Sequence, residues 1–131
     1  MRHLFALVGL AMLAMRSSAQ ERKIGIYQIL DNFIASSVAY NKCGSNDAGL
    51  KMKFGTNLNV ISIRAAMQAK QDYPVQPEAD LVKALDERGK TVRAKVLEEI
   101  DTKGCASDRI TNLLKMYEFH ANWNMYESKT H

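Results

Sequence analysis

Between Val82 and Ile100 the apolar side of the chain is written at Val82, Leu85, Gly89, Val92, Val96 and Ile100. Steps of three and four residues return to one side of an α-helix but scatter over both sides of a strand, so this stretch predicts a helix with a single apolar face. Pro77 and Glu78 open it, because a first-turn proline lacks no needed N–H and an acidic side chain suits the positive end of the helix dipole. Gly104 closes it. Gly89 costs about 1 kcal/mol against alanine inside a helix, and marks close packing, a kink or a break into two helices.

The rest of the chain is punctuated in the same way. From about Lys23 to Lys42, Tyr27, Leu30, Ile34 and Val38 recur at helical spacing, and Ile26, Phe33 and Tyr40 widen the stripe. Cys43-Gly44-Ser45-Asn46-Asp47 stops this helix, with Gly44 placed for a left-handed C-terminal cap. A second helix, from about Leu50 to Asp72, carries Phe54, Leu58, Ile61 and Ala65 on one face, although Val60 and Ile63 lend it some strand character. Tyr73-Pro74 ends it, since the residue before proline avoids the α region. Ser107 caps a last helix with Ile110, Leu113, Leu114, Tyr117 and Ala121 on its apolar face. The chain of 131 residues, 47% of them hydrophobic, suits one core. With 7 Gly and 2 Pro it is neither collagen-like nor a disordered Pro/Gly-rich chain. The expected fold is all-α, a compact bundle of four or five helices.

The amino terminus reads differently. Leu4 to Met15 is apolar or small without interruption, preceded by Arg2 and followed by Arg16-Ser17-Ser18-Ala19. Such a stretch is too short for the ~30 Å hydrocarbon core, which takes about 20 residues. It matches a secretory signal cut after Ala19, with Arg16 as its one awkward feature. Residues 1–19 are thus expected to be a signal peptide, and residues 20–131 a single helical domain with no stable membrane insertion. Export also changes the charge. The formal +4 and pI ≈ 9.1 include Arg2 and Arg16; without them 16 basic residues face 14 acidic ones. The basic run Arg88, Lys90, Arg93 and Lys95 is flanked by Glu87, Glu98 and Glu99, the pattern of a solvated helix face rather than of a nucleic-acid site. The domain has no Asn-x-Ser/Thr acceptor, which favours a bacterial periplasm over a eukaryotic secretory route.

Cys43 and Cys105 stand at helix boundaries, and in an exported protein such a pair is expected to form a disulfide. No Cys-x-x-Cys supports a redox role. No chemistry emerges from the remaining residues. Beyond the signal the only histidines are His120 and His131, and no His-Glu-x-x-His, His-x-x-x-His or paired Glu-x-x-His string supplies metal or haem ligands. His120 reads as a half-buried helix histidine. The carboxylates of Asp86-Glu87 and Glu98-Glu99 diverge into solvent instead of facing one another across a cleft. We therefore expect no enzyme, no metal and no cofactor.

One cluster rises above this background. Tyr117, Phe119, Trp123 and Tyr126 fall within ten residues, interleaved with Asn122 and Asn124. Relative to Tyr117, Phe119 lies about 200° and Trp123 about 240° around a helix, so one face cannot bury them all. Either Trp123 folds back over the end of the bundle, or the four residues form a partner-binding patch. The expected function is that of a non-enzymatic periplasmic or secreted protein acting on a protein partner, as an inhibitor, immunity-type or accessory protein. The alternative is a carrier of a small apolar ligand, in a cavity left by Gly55, Ala65, Ala66 and Gly89.

Overall fold

The computed structural model describes residues 25–125; the expected signal peptide and Tyr126 lie outside them. Within this span four helices form one bundle: α1 (Ile26–Cys43), α2 (Ala48–Asp72), α3 (Glu78–Lys103) and α4 (Asp108–Ala121). There is no strand among the described residues, and Val60 and Ile63 are helical. Helix α1 packs against the other three, which explains its broad stripe: Leu30, Phe33, Ala35, Ser36, Val38, Ala39 and Tyr40 are all buried.

The turns carry the main departures from expectation. Gly44 does close α1, its N–H donating to the Tyr40 carbonyl at 2.8 Å, but its backbone is extended (φ −84°, ψ 177°) and not left-handed. Glycine is needed there for space. A Cβ would fall against the Tyr40 ring and 2.6 Å from the Tyr40 carbonyl oxygen, because Tyr40 folds back over the turn so that its hydroxyl accepts from the Asp47 N–H at 2.7 Å. The left-handed residue of this turn is Asn46 (φ 62°), a type that tolerates that region. Asp47 then caps α2, its carboxylate accepting from the Leu50 N–H at 3.1 Å, which starts the helix at Ala48 instead of Leu50. The glycine that needs a positive φ is Gly104 (79°), between α3 and α4. Ser107 caps α4 through Ile110, as expected.

Helix α3 runs unbroken through Gly89. That residue is buried where a Cβ would lie 3.3 Å from Ile34 Cδ1, so it marks close packing of α3 on α1. Only Gly89 and Val96 of α3 are buried, and Val82, at the start of its apolar line, is exposed.

The interior has two parts. Ala35, Val38, Ala39, Val96, Ile110 and Leu113 make an aliphatic core between α1, α3 and α4. Beside it Cys43 and Cys105 are bonded, with their Cα atoms 5.6 Å apart, and clamp the end of α1 to the start of α4. The other part is aromatic: Phe33, Tyr40, Phe54 and Tyr117 join α1, α2 and α4, with Met125 closing the end. Tyr117 stacks on Tyr40 and on Phe54, each at a centroid distance of 3.9 Å. Such pairs add about 0.5–1.5 kcal/mol to the area they bury.

Candidate functional site

Helix α4 ends at Ala121, and the chain that follows turns back toward α2. What holds it there is Asn57 of α2. Its side-chain amide donates to the His120 carbonyl at 2.7 Å and to the Trp123 carbonyl at 2.9 Å, with the Ala121 carbonyl at 3.4 Å. The last carbonyls of a helix have no partner within it, so a side chain from a neighbouring helix does the capping. Nothing in the sequence singles out Asn57, because the carbonyls it caps lie more than sixty positions further along the chain.

The aromatic cluster divides. Tyr117 is buried between Tyr40 and Phe54 and belongs to the core, not to a surface; burial pushes its phenol upward, with a smaller push from Tyr40. Phe119 is 66% exposed. Trp123, past the helix end, folds back half-buried, with its ring 6.2 Å from Phe33 and 6.3 Å from Phe119. This tryptophan thus folds back over the end of the bundle, with part of its side chain still accessible. Tyr126 lies outside the described residues.

Between Trp123 and α2 runs an open groove of about 410 Å³, bordered by Met52, Lys53, Thr56, Asn57, Asn122 and Trp123. Met52 is 75% exposed at its rim. The groove thus joins apolar side chains to amide, hydroxyl and ammonium groups, a mixture suited to a polypeptide partner.

His120 lies beneath this surface. It is buried, stacked on Phe33 at 3.9 Å and 8°, and its Nδ1 is 3.4 Å from Ser36 Oγ. Ser36 is fully buried and donates to the Phe33 carbonyl at 3.1 Å. Burial holds the imidazole down at about 4, so it is neutral near pH 7. The pair packs and hydrogen-bonds the interior.

A second pocket, of about 300 Å³, opens between α1, α2 and α3, lined by Tyr27, Tyr73, Leu81, Leu85 and Arg88. Arg88 grips Asp31 through Nε and Nη2 at 2.9 and 2.8 Å and sits over the Tyr27 ring at 5.7 Å. Tyr27 in turn donates to Asp72 at 2.7 Å. The small residues expected to leave a cavity line neither pocket: Ala65 is in the core, Ala66 is half-buried, Gly55 faces solvent and Gly89 meets Ile34. Lys90 pairs with Asp86 one turn away, so the basic run on α3 is in part ion-paired. Among the described residues no group of three or more His, Cys, Asp or Glu side chains could hold a metal ion, and no helix is long and apolar enough to cross a membrane. Comparison with protein families, curated proteins and solved structures finds no match to this chain.

Proposed function

We propose that the chain is an exported, non-enzymatic protein-interaction module that docks its partner at the groove between α2 and the segment after α4. The observation that carries this reading is the pairing of exposed Phe119 with half-buried Trp123 beside a groove of mixed polarity. Large, rigid aromatics backed by a packed core lose little entropy on binding and are the usual anchors of interfaces. Export to the periplasm or beyond is supported by the N-terminal apolar stretch and by the Cys43–Cys105 bridge, which an oxidising compartment maintains.

A photo-crosslinking residue placed at Phe119 and at Thr56 in the producing cell tests the surface, with exposed Lys95 on α3 as the control position. The same adduct at the first two positions and none at Lys95 is the expected result. Adducts absent from all three, or equal at Lys95, would sink the assignment. N-terminal sequencing of the exported protein should begin at Gln20.

The pocket beside Tyr27 and Leu85 supports the alternative of a small apolar-ligand carrier. Native mass spectrometry of protein from its own host separates the two: a retained small mass selects the carrier.

A further inference from the structure

Helix α2 has two apolar faces, and the bundle covers one of them. Phe54, Ile61, Ala65 and Ala69 are buried, with Leu58 packed against them. On the opposite side Met52, Ile63 and Met67 are 75%, 53% and 58% exposed. Together with Thr56 and Asn59, which are also exposed, they lie within about 80° of arc around the helix, centred about 180° from the buried face. A helix on the surface of a single bundle shows one apolar stripe. Scattered exposed apolar residues are ordinary, but these three are in register over about 22 Å of helix, and Met52 makes the strip continuous with the groove proposed above as the docking surface.

The charge of α2 is one-sided. It carries Lys51, Lys53, Arg64 and Lys70, and no acidic residue until Asp72 at its end. Lys51 is bonded to Asn46 and Lys70 to Glu78. Among the described residues Lys53 and Arg64 have no ion pair, and both fall on the same flank of the strip, about 100–120° around from Met52.

We infer that the outer face of α2, from Met52 to Met67, receives an acidic amphipathic segment of a partner protein, its apolar ridge on Met52, Ile63 and Met67 and its carboxylates against Lys53 and Arg64. The inference rests on the reading of the chain as an interaction module, and supplies the chemistry of the partner. A protein fits this strip better than a lipid surface does. Asn59 interrupts the apolar line, and hydrocarbon would strip water from its amide without offering a partner, whereas a polypeptide can hydrogen-bond it; the Thr56 hydroxyl already donates to the Met52 carbonyl. Methionine side chains adapt to a partner's contour and are enriched at protein interfaces.

The test uses the full exported chain, isotopically labelled, and two synthetic helices of about 18 residues with the same leucine ridge, one flanked by glutamate and the other by lysine. The glutamate-flanked helix should shift the amides of Met52 to Met67. Its affinity should fall about tenfold in the double variant Lys53→Glu, Arg64→Glu, since two attractive contacts become repulsive, and comparably in Ile63→Ser, Met67→Ser. All four side chains are exposed or half-exposed, so circular dichroism should show an unchanged fold. Equal binding of the lysine-flanked helix overturns the inference, as does the absence of any shift. Shifts confined to Phe119–Met125 overturn it while leaving the interaction reading in place; failed crosslinking at Phe119 and Thr56 would remove that reading itself. Sedimentation with phosphatidylglycerol vesicles that is lost in the same variants would replace the protein partner by a membrane. Self-association of the chain alone, abolished by Ile63→Ser, would replace it by a second copy.

Discussion

Stability should fall with acid in a way that depends on His120. Its imidazole is stacked on Phe33 and faces Ser36, and no carboxylate or cation is among its ring and hydrogen-bond contacts. Burial lowers it from 6.5 to about 4, so the folded state resists a proton that the unfolded state accepts. For a group depressed on folding, stability is complete above the unfolded value and is lost as pH falls from 6.5 toward 4, beyond which the loss levels off. The shift corresponds to a total of about 3 kcal/mol, of which about 2 kcal/mol is lost by about pH 5. His120→Phe keeps a stacked ring and removes the titration, and it orphans no donor because Ser36 already donates to the Phe33 carbonyl. Urea unfolding, followed by the single tryptophan, Trp123, should therefore show the wild type losing about 2 kcal/mol more than the variant between about pH 7.5 and 5. Carboxylate titration is common to both proteins and cancels. A constant difference between them at the two pH values would refute the picture of a buried neutral histidine.

Three other substitutions probe the frame of the site. Removing the disulfide with Cys43→Ala, Cys105→Ala opens a loop of sequence separation 62 and should cost up to about 4 kcal/mol, read as a lower urea midpoint that reductant no longer affects. Two glycines should respond to alanine with opposite signs by thermal unfolding. Gly44→Ala meets Tyr40 ring and backbone and should destabilise by about 1–3 kcal/mol, whereas Gly55→Ala, with nothing within 4 Å in mid-helix, should stabilise by about 1 kcal/mol. Asn57→Ala removes the donor to the Trp123 carbonyl and leaves the His120 carbonyl with backbone donors alone; a loss of about 1–2 kcal/mol and a red-shifted Trp123 emission are expected.

Helix positions were legible because four apolar stripes, each with a recognisable stop, leave little freedom in an all-α chain. What was not legible was the role of individual turn residues. Gly44 and Gly104 look alike in sequence as helix terminators, yet one is required by the Tyr40 ring above it and the other by a positive φ. The difference depends on where a side chain four residues earlier is aimed, and that is set by packing. Val82 shows the same limit: its spacing places it on the apolar face of α3, but the start of that helix meets the bundle through Leu81 and Leu85, and Val82 stays in water.

At the candidate site the aromatic cluster was visible as composition, and its division into core and surface was not. Tyr117 and Phe119 are two residues apart, about 200° around α4, so one must turn inward and the other outward; which is which follows from Tyr40 and Phe54 waiting on one side only. The strip on α2 escaped for a related reason. Two apolar stripes on opposite faces of one helix repeat together about every 1.8 residues, close to the period of two that marks a strand. Ile61 and Ile63 are such a pair, one fully buried and the other 53% exposed. The strand character that Val60 and Ile63 lend to this segment is the signature of a helix with two apolar faces, and an apparent strand inside a strong helical pattern is the place to look for a second contact surface.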